Sequence, residues 1–315
     1  MPPRTVLTIG NFDGVHLGHR ALLTEARRRA AEQSTETRVV AVTFDPPPTA
    51  VLRPGSEPPQ IDAPERRVAW LKQAGADAVE VMPIEPATLE QTAERFVADI
   101  VARFAPVAIV EGPDFRFGKH RAGDHALLQK LGETHGFRAV QRPRAQAVLA
   151  DRQTVPVSSS LIRWLIGRGR VRDAAVCLGR PFELTAPVVR GEQRGRTLGI
   201  PTANLEAGAL RGRIVPADGV YAAHAQTVDG RVHPAAVSIG TKPTFQGRRQ
   251  TTVEAHLLDF AGDLYDRPLT LRFVRWVRDQ YAFPGLDPLV AQLRRDLQRI
   301  ETLLSTDSLS APVPA

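Results

Sequence analysis

Five short apolar runs recur through the first 142 residues. They are TVLTIG (Thr5 to Gly10), RVVAVTF (Arg38 to Phe44), DAVEVM (Asp77 to Met82), PVAIVEG (Pro106 to Gly112) and FRAVQR (Phe137 to Arg142). Between them lie HRALLTEARRRAAEQ, APERRVAWLKQAG, LEQTAERFVADIVARF and DHALLQKLGETHG, with apolar residues three and four apart. That period predicts amphipathic helices. Strands apolar at consecutive positions have no wet face, so the spacing predicts an α/β chain whose doubly wound parallel sheet is covered on both faces. Such sheets take ligands at the carboxyl ends of their strands. Asp62 with Glu65, and Thr88 with Gln91, are placed to form capping boxes for two of the helices.

The pattern changes after residue 156. VSSSLIRWLIGRGRVRDAAVCLGR (Val157 to Arg180) reads as a helical pair broken between Gly167 and Gly169. PFELTAPVVRG, GVYAAHAQTVDGRVHPAAVSIG, QTTVEAHLLDF and PLTLRFVRWV then read as strands with turn residues at short spacing. These features predict a small antiparallel β-barrel. DPLVAQLRRDLQRIETLL closes the chain as an amphipathic helix, and a Ser/Pro/Ala-rich tail follows. The expected domains are 1–180, 181–304 and a disordered tail over 305–315.

Composition narrows the function. The formal charge is +7 over 315 residues, yet 37 of the 41 basic residues are Arg and no block of five like charges occurs. This is compositional bias more than a basic face for nucleic acid, and an anionic nucleotide explains clustered arginines equally well. Cys177 is the only cysteine, so neither a disulfide framework nor a cysteine zinc site is expected. No apolar run approaches a membrane span, and a cytoplasmic protein is the expectation.

The turn after the first strand, GNFDGVHLGHR (Gly10 to Arg20), concentrates unusual chemistry. Free N–H groups at a helix start favour anions. Glycines at 10, 14 and 18 let the backbone turn and approach a ligand closely. His16 and His19 lie about one turn apart and can point the same way. The pair reads as a phosphate cradle able to stabilise charge on a transferred phosphorus. Two other readings stay open: polar loop residues, or two metal ligands lacking an evident third.

HLGH (His16 to His19) after a strand resembles the HxGH signature of the nucleotidyltransferase superfamily, which class I aminoacyl-tRNA synthetases share. The surroundings are more specific. GNFDGVHLGH, FDPPP, GPDFRFGKHRAGD and VSSSLIRWLIGRGRVRDAAVCLGRPF, in that order, resemble the N-terminal module of the bacterial bifunctional riboflavin kinase/FAD synthetases. GRTLGIPTAN, GVYAAHA, SIGTKPTFQG and TTVEAHLLDFAGDLYD resemble their riboflavin kinase barrel.

The resemblance implies two reactions. Riboflavin and ATP give FMN and ADP; FMN and a second ATP give FAD and pyrophosphate. Mg²⁺ is the implied metal, and neither nucleic acid nor membrane is an expected partner. In the first module His16 and His19 would hold ATP phosphates, with Asn11, Asp13 and Gly18 in the same turn. Asp114, in the loop past the fourth strand, is placed to accept hydrogen bonds from ribose or the flavin phosphate side, or simply to form a turn. Ser159, Ser160 and Arg163 at a helix start suit a triphosphate, though a serine cap fits equally. The family usually has Thr at the position of Ser160.

In the second module PTAN presents Thr202 and Asn204 on one side of an extended segment, as oxygen ligands for Mg²⁺. Gly195 and Arg196, in GEQRGRTLG, would lie over the phosphates, although glycines there also suit a hairpin. Glu254 shares a strand face with Thr252 and His256 and is the expected base for riboflavin's terminal hydroxyl. Phe245, Tyr281 and Phe283 are the candidate flavin platforms. Lys242 stands where many relatives carry Asn, and Asp266 replaces a usual Gly. Three other readings are retention of one activity only, a nucleic-acid-binding regulator on the same scaffold, and a tRNA-charging enzyme. The last is disfavoured because no anticodon-binding domain is evident.

Overall fold

The computed structural model describes residues 4–33, 36–191, 195, 199–243 and 249–306. They form two compact units: one runs through Ala147 and takes in Thr154–Ser159, the other takes Val148–Gln153 and the chain from Ser160. The sequence boundary at 180 and this division by packing differ by the helical pair.

The first unit contains β1 (Thr5–Ile9), α1 (Leu17–Gln33), β2 (Arg38–Phe44), α2 (Pro48–Leu52), α3 (Pro64–Gln73), β3 (Ala78–Met82), α4 (Pro86–Leu89), α5 (Ala93–Phe104), β4 (Pro106–Glu111), α6 (His125–His135) and β5 (Arg138–Gln141). The strands pair in parallel in the order β3-β2-β1-β4-β5. Successive strand residues point to opposite faces. Val6, Val39, Ala41 and Val110 pack with Leu23 and Ala26 of α1 and Leu71 of α3. Leu7, Val40, Val42 and Ile109 pack with Val97 and Ile100 of α5 and Leu128 of α6. Both sheet faces are therefore buried, which is why the strands read as continuous apolar runs.

Neither expected capping box forms. The α3 N-cap is Ala63, and Pro64 takes the first helical position; proline has no N–H there to satisfy and its φ is already helical. Pro86 starts the separate short helix α4 that contains Thr88, and α5 is capped instead by Thr92, whose Oγ1 accepts from Arg95 N at 3.2 Å.

The chain continues with a small sheet of β6 (Gln146–Val148) and β7 (Thr154–Pro156), then α7 (Ser159–Gly167) and α8 (Val171–Leu178). β8 (Phe182–Val189), β9 (Ala203–Leu205), β10 (Gly219–Gln226), β11 (Val232–Pro243), β12 (Arg249–Leu257) and β13 (Pro268–Arg278) close an antiparallel barrel in the order β10-β11-β12-β9-β8-β13. Phe182, Tyr221 and Phe273 pack together in its core. α8 packs on β8 and β13, burying Val171, Ala174, Ala175, Cys177 and Leu178. α9 (Leu286–Thr306) covers the barrel through Ile300 and Leu304, against Val220, Ala222, Val274 and Val277. Ser305 and Thr306, expected in the tail, end this helix; 307–315 lie outside the described residues.

Candidate active sites

In the first unit α1 begins at Leu17, so His16 takes the N-cap place. Its carbonyl accepts from Arg20 N at 3.0 Å, and its Nδ1 accepts from Gly18 N at 3.2 Å. A side chain at 18 would meet the His16 ring at 3.0 Å, so the close approach explains that glycine. His16 and His19 stack with centroids 3.6 Å apart, and Phe12 meets His19 edge-on at 5.1 Å. The two imidazoles thus act as one block beside the first turn of α1.

The rest of the turn is held from behind. Buried Asp13 accepts from the N–H groups of Ile61, at 2.9 Å, and Asp62, at 3.2 Å. Its carbonyl accepts from Ser159 Oγ at 2.8 Å. The Asn11 carbonyl accepts from Thr43 Oγ1 and from Arg67, which also donates to the Phe44 carbonyl at 3.1 Å. Arg67 is 2% exposed. Nothing in APERRVAWLK distinguished it from a solvated helix arginine; only packing shows its role.

Asp114 is exposed and forms a two-pronged ion pair with Arg144. Hydrogen bonding from that guanidinium lowers the Asp114 pKa below the ordinary range. Ser160 and Arg163 lie on α7 and pack with the second unit. Glu111, at the end of β4, is a buried carboxylate that the sequence did not mark.

In the barrel, Val253, Ala255 and Leu257 are buried while Thr252, Glu254 and His256 take the other face. Glu254 pairs in register with Asn204 of β9 and Ser238 of β11. Thr202 Oγ1 donates to Glu254 Oε2 at 3.4 Å. Thr202 lines two cavities. One, about 140 Å³, is bounded by Val188, Pro201, Leu257, Phe260 and Tyr265. The other, about 260 Å³, holds Glu254 with Ser238, Gln280, Tyr281, Phe283 and Leu293. Tyr281 and Phe283 lie 4.7 Å apart at its wall, with the Arg278 guanidinium over both. Arg278 is fixed in turn by Asp296 of α9, at 2.8 and 2.9 Å.

A side chain at Gly195 would meet the Ile200 carbonyl at 2.3 Å, so the chain crosses itself closely just before PTAN. Asp266 sits at φ 60°, the left-handed region that suits glycine. Arg196, Phe245 and the Lys242 side chain lie outside the described residues. Among the described residues no group of three or more His, Cys, Asp or Glu is arranged to hold a metal. No described helix is long and apolar enough to cross a membrane.

A parallel sheet ending in a histidine turn, and a barrel in which Thr202 is shared by two cavities and bonds the Glu254 carboxylate, define a two-headed phosphate-transfer enzyme. A family model described as FAD synthetase matches residues 1–160, and one described as riboflavin kinase matches 178–304. A bifunctional riboflavin kinase/FMN adenylyltransferase of Escherichia coli (strain K12) is 35% identical over 92% of this chain and 90% of its own. The protein of that name from Pseudomonas fluorescens is 37% identical over 95% and 92%. A solved structure described as a macrolide-efflux protein from Streptococcus pneumoniae is 29% identical, covers 96% of this chain and 95% of its own, and superposes with a TM-score of 0.85. The chain belongs to the bifunctional riboflavin kinase/FMN adenylyltransferase family.

Proposed function

We propose that the barrel unit carries the kinase step and the parallel-sheet unit the adenylyl-transfer step. With both catalytic domains of its family, the enzyme phosphorylates riboflavin with ATP to FMN, then adenylylates FMN with a second ATP to FAD and pyrophosphate. The observation that carries the assignment is Thr202, shared by two cavities, with Glu254 beside it. The cavity walled by Tyr281 and Phe283 is assigned to the flavin ring, whose flat face suits aromatic neighbours, and the cavity on the other side of Thr202 to the nucleotide phosphates.

Glu254 takes the proton of riboflavin's terminal hydroxyl as that oxygen bonds to the γ-phosphorus and the bond to ADP breaks. Thr202 and Asn204 would offer side-chain oxygens to a cation, ligands that fit Mg²⁺. Held by those oxygens, the cation would supply neutralisation of phosphate charge. In the other unit, His16, His19 and the N-terminal end of α1 hold the ATP phosphates. Ser159, Ser160 and Arg163 are assigned to the triphosphate, and Asp114, with Arg144, to the ribose or flavin-phosphate side. The FMN phosphate oxygen is already a nucleophile, so attack on the α-phosphorus expels pyrophosphate with no base; positioning and charge neutralisation suffice. The use of ATP in both steps supports a cytoplasmic location.

The test is Glu254→Gln, which keeps size and hydrogen bonding but removes basicity. FMN formation should fall by about a hundredfold to ten-thousandfold, while conversion of supplied FMN to FAD persists. Kinase turnover close to the parent would make Glu254 a bystander.

A further inference from the structure

β1 and β4 are neighbours at the point where the strand order reverses, and their backbone pairing stops at Leu7 opposite Ile109. Open α/β sheets take ligands at this crevice. Past the last pair, the Ile9 N–H donates to the side chain of Glu111, Oε1 at 2.6 Å. On the other flank, Gly10 N donates to the Val42 carbonyl at 3.0 Å. Ile9 and Gly10 are the last residues before the histidine turn, so one is tied to β4 and the next to β2. Glu111 is itself anchored: it pairs with Gln141 of β5, and its carbonyl accepts from Arg142 N at 2.8 Å. The residue is 2% exposed. Burial raises its pKa well above the ordinary range, opposed only by the Ile9 N–H. In either protonation state the carboxyl offers the Ile9 N–H an oxygen acceptor, as an amide would.

We propose that Glu111 is a positioning residue for adenylyl transfer: its side chain replaces the missing backbone rung between β1 and β4 and sets where the turn bearing His16 and His19 leaves the sheet. The inference rests on assigning that turn to adenylyl transfer. Without the acceptor, a buried N–H at Ile9 has no partner and the strand end must shift to find one. A shift near 1 Å costs about a hundredfold in a reaction that depends on alignment.

The experiment compares Glu111→Leu, Glu111→Gln and His16→Ala in the full chain. Each is assayed for supplied FMN to FAD and for riboflavin to FMN. Glu111→Leu should raise the KM for ATP in FAD formation and lower its kcat by about tenfold to a hundredfold, with FMN formation unchanged. Glu111→Gln restores the acceptor and should keep the parent KM. A loss of folded enzyme lowers kcat and leaves KM alone, so a parent KM in Glu111→Leu overturns the proposal. So does Glu111→Gln behaving like Glu111→Leu. If Glu111→Leu is insoluble, Glu111→Asp, which draws the carboxyl back by one methylene, must show the raised KM instead. His16→Ala separates the two readings. If it forms FAD like the parent, the site assignment fails and the inference with it; if it is impaired while Glu111→Leu is not, only the inference fails.

Discussion

Single residues in this enzyme are decided by what burial does to them. The pKa of Glu111 is raised in the folded chain by loss of water, so its proton stabilises the fold fully below the unfolded value of about 4.3. That contribution is lost as the pH rises towards and through the folded value, at no more than about 1.4 kcal/mol per pH unit. Glu111→Gln removes the dependence. Its melting temperature relative to the parent should climb from pH 5 to pH 8; a constant difference would mean that the carboxyl is already ionised. Asp266 poses the opposite problem, a side chain in a backbone conformation that suits glycine, at φ 60°. Asp266→Gly should relieve up to about 1 kcal/mol, the left-handed penalty less glycine's greater freedom in the unfolded chain. Chemical denaturation of the barrel transition reads it, and a lowered midpoint would sink the idea. The resemblance singled out this Asp in the sequence; its backbone cost is visible only in the fold.

At the scale of elements, periodicity located the helices and strands, while their ends followed local chemistry that the pattern did not resolve. Pro64 and Pro86 each took a first helical position and displaced the expected caps to Ala63 and Thr92. The closing helix shows why an amphipathic pattern is not enough to explain a site. Its apolar stripe buries Ile300 and Leu304, but Asp296 on the same helix is only 4% exposed and grips Arg278. Gln292 donates to the other Asp296 oxygen at 2.8 Å. Asp296→Ala would leave the Arg278 guanidinium, 15% exposed, without its carboxylate. The expected cost is about 3–5 kcal/mol. Because Arg278 supports Tyr281 and Phe283, the KM for riboflavin should rise as well. Arg278→Met with Asp296→Ala should recover most of the stability but not the riboflavin KM. A single variant melting with the parent would show that the pair contributes nothing.

Across the whole molecule, two units imply separable activities, and packing says where to cut. Starting at Phe182 discards α8, which buries five apolar residues and packs on β8 and β13. A fragment from Ser160 to Thr306 should therefore form FMN and melt well above one from Phe182 to Thr306; equal melting would show α8 to be dispensable. Cys177 reports the same contact. It is fully buried, and burial pushes its thiol up to about 11, so alkylation at pH 8 should track barrel unfolding and be negligible before it. Sequence alone determined the parallel sheet, the barrel, the histidine turn and the strand face that carries Glu254, because each is written in short-range periodicity. Tertiary structure alone decided that Arg67 and Glu111 are buried. It also decided that Asp114 is held by Arg144, that Thr202 stands between two cavities and that the helical pair packs with the barrel. Those facts depend on residues tens of positions apart: Glu111 meets Ile9 across 102 residues and Thr202 meets Glu254 across 52. Burial and pairing at that separation belong to the packed chain, and no local pattern encodes them.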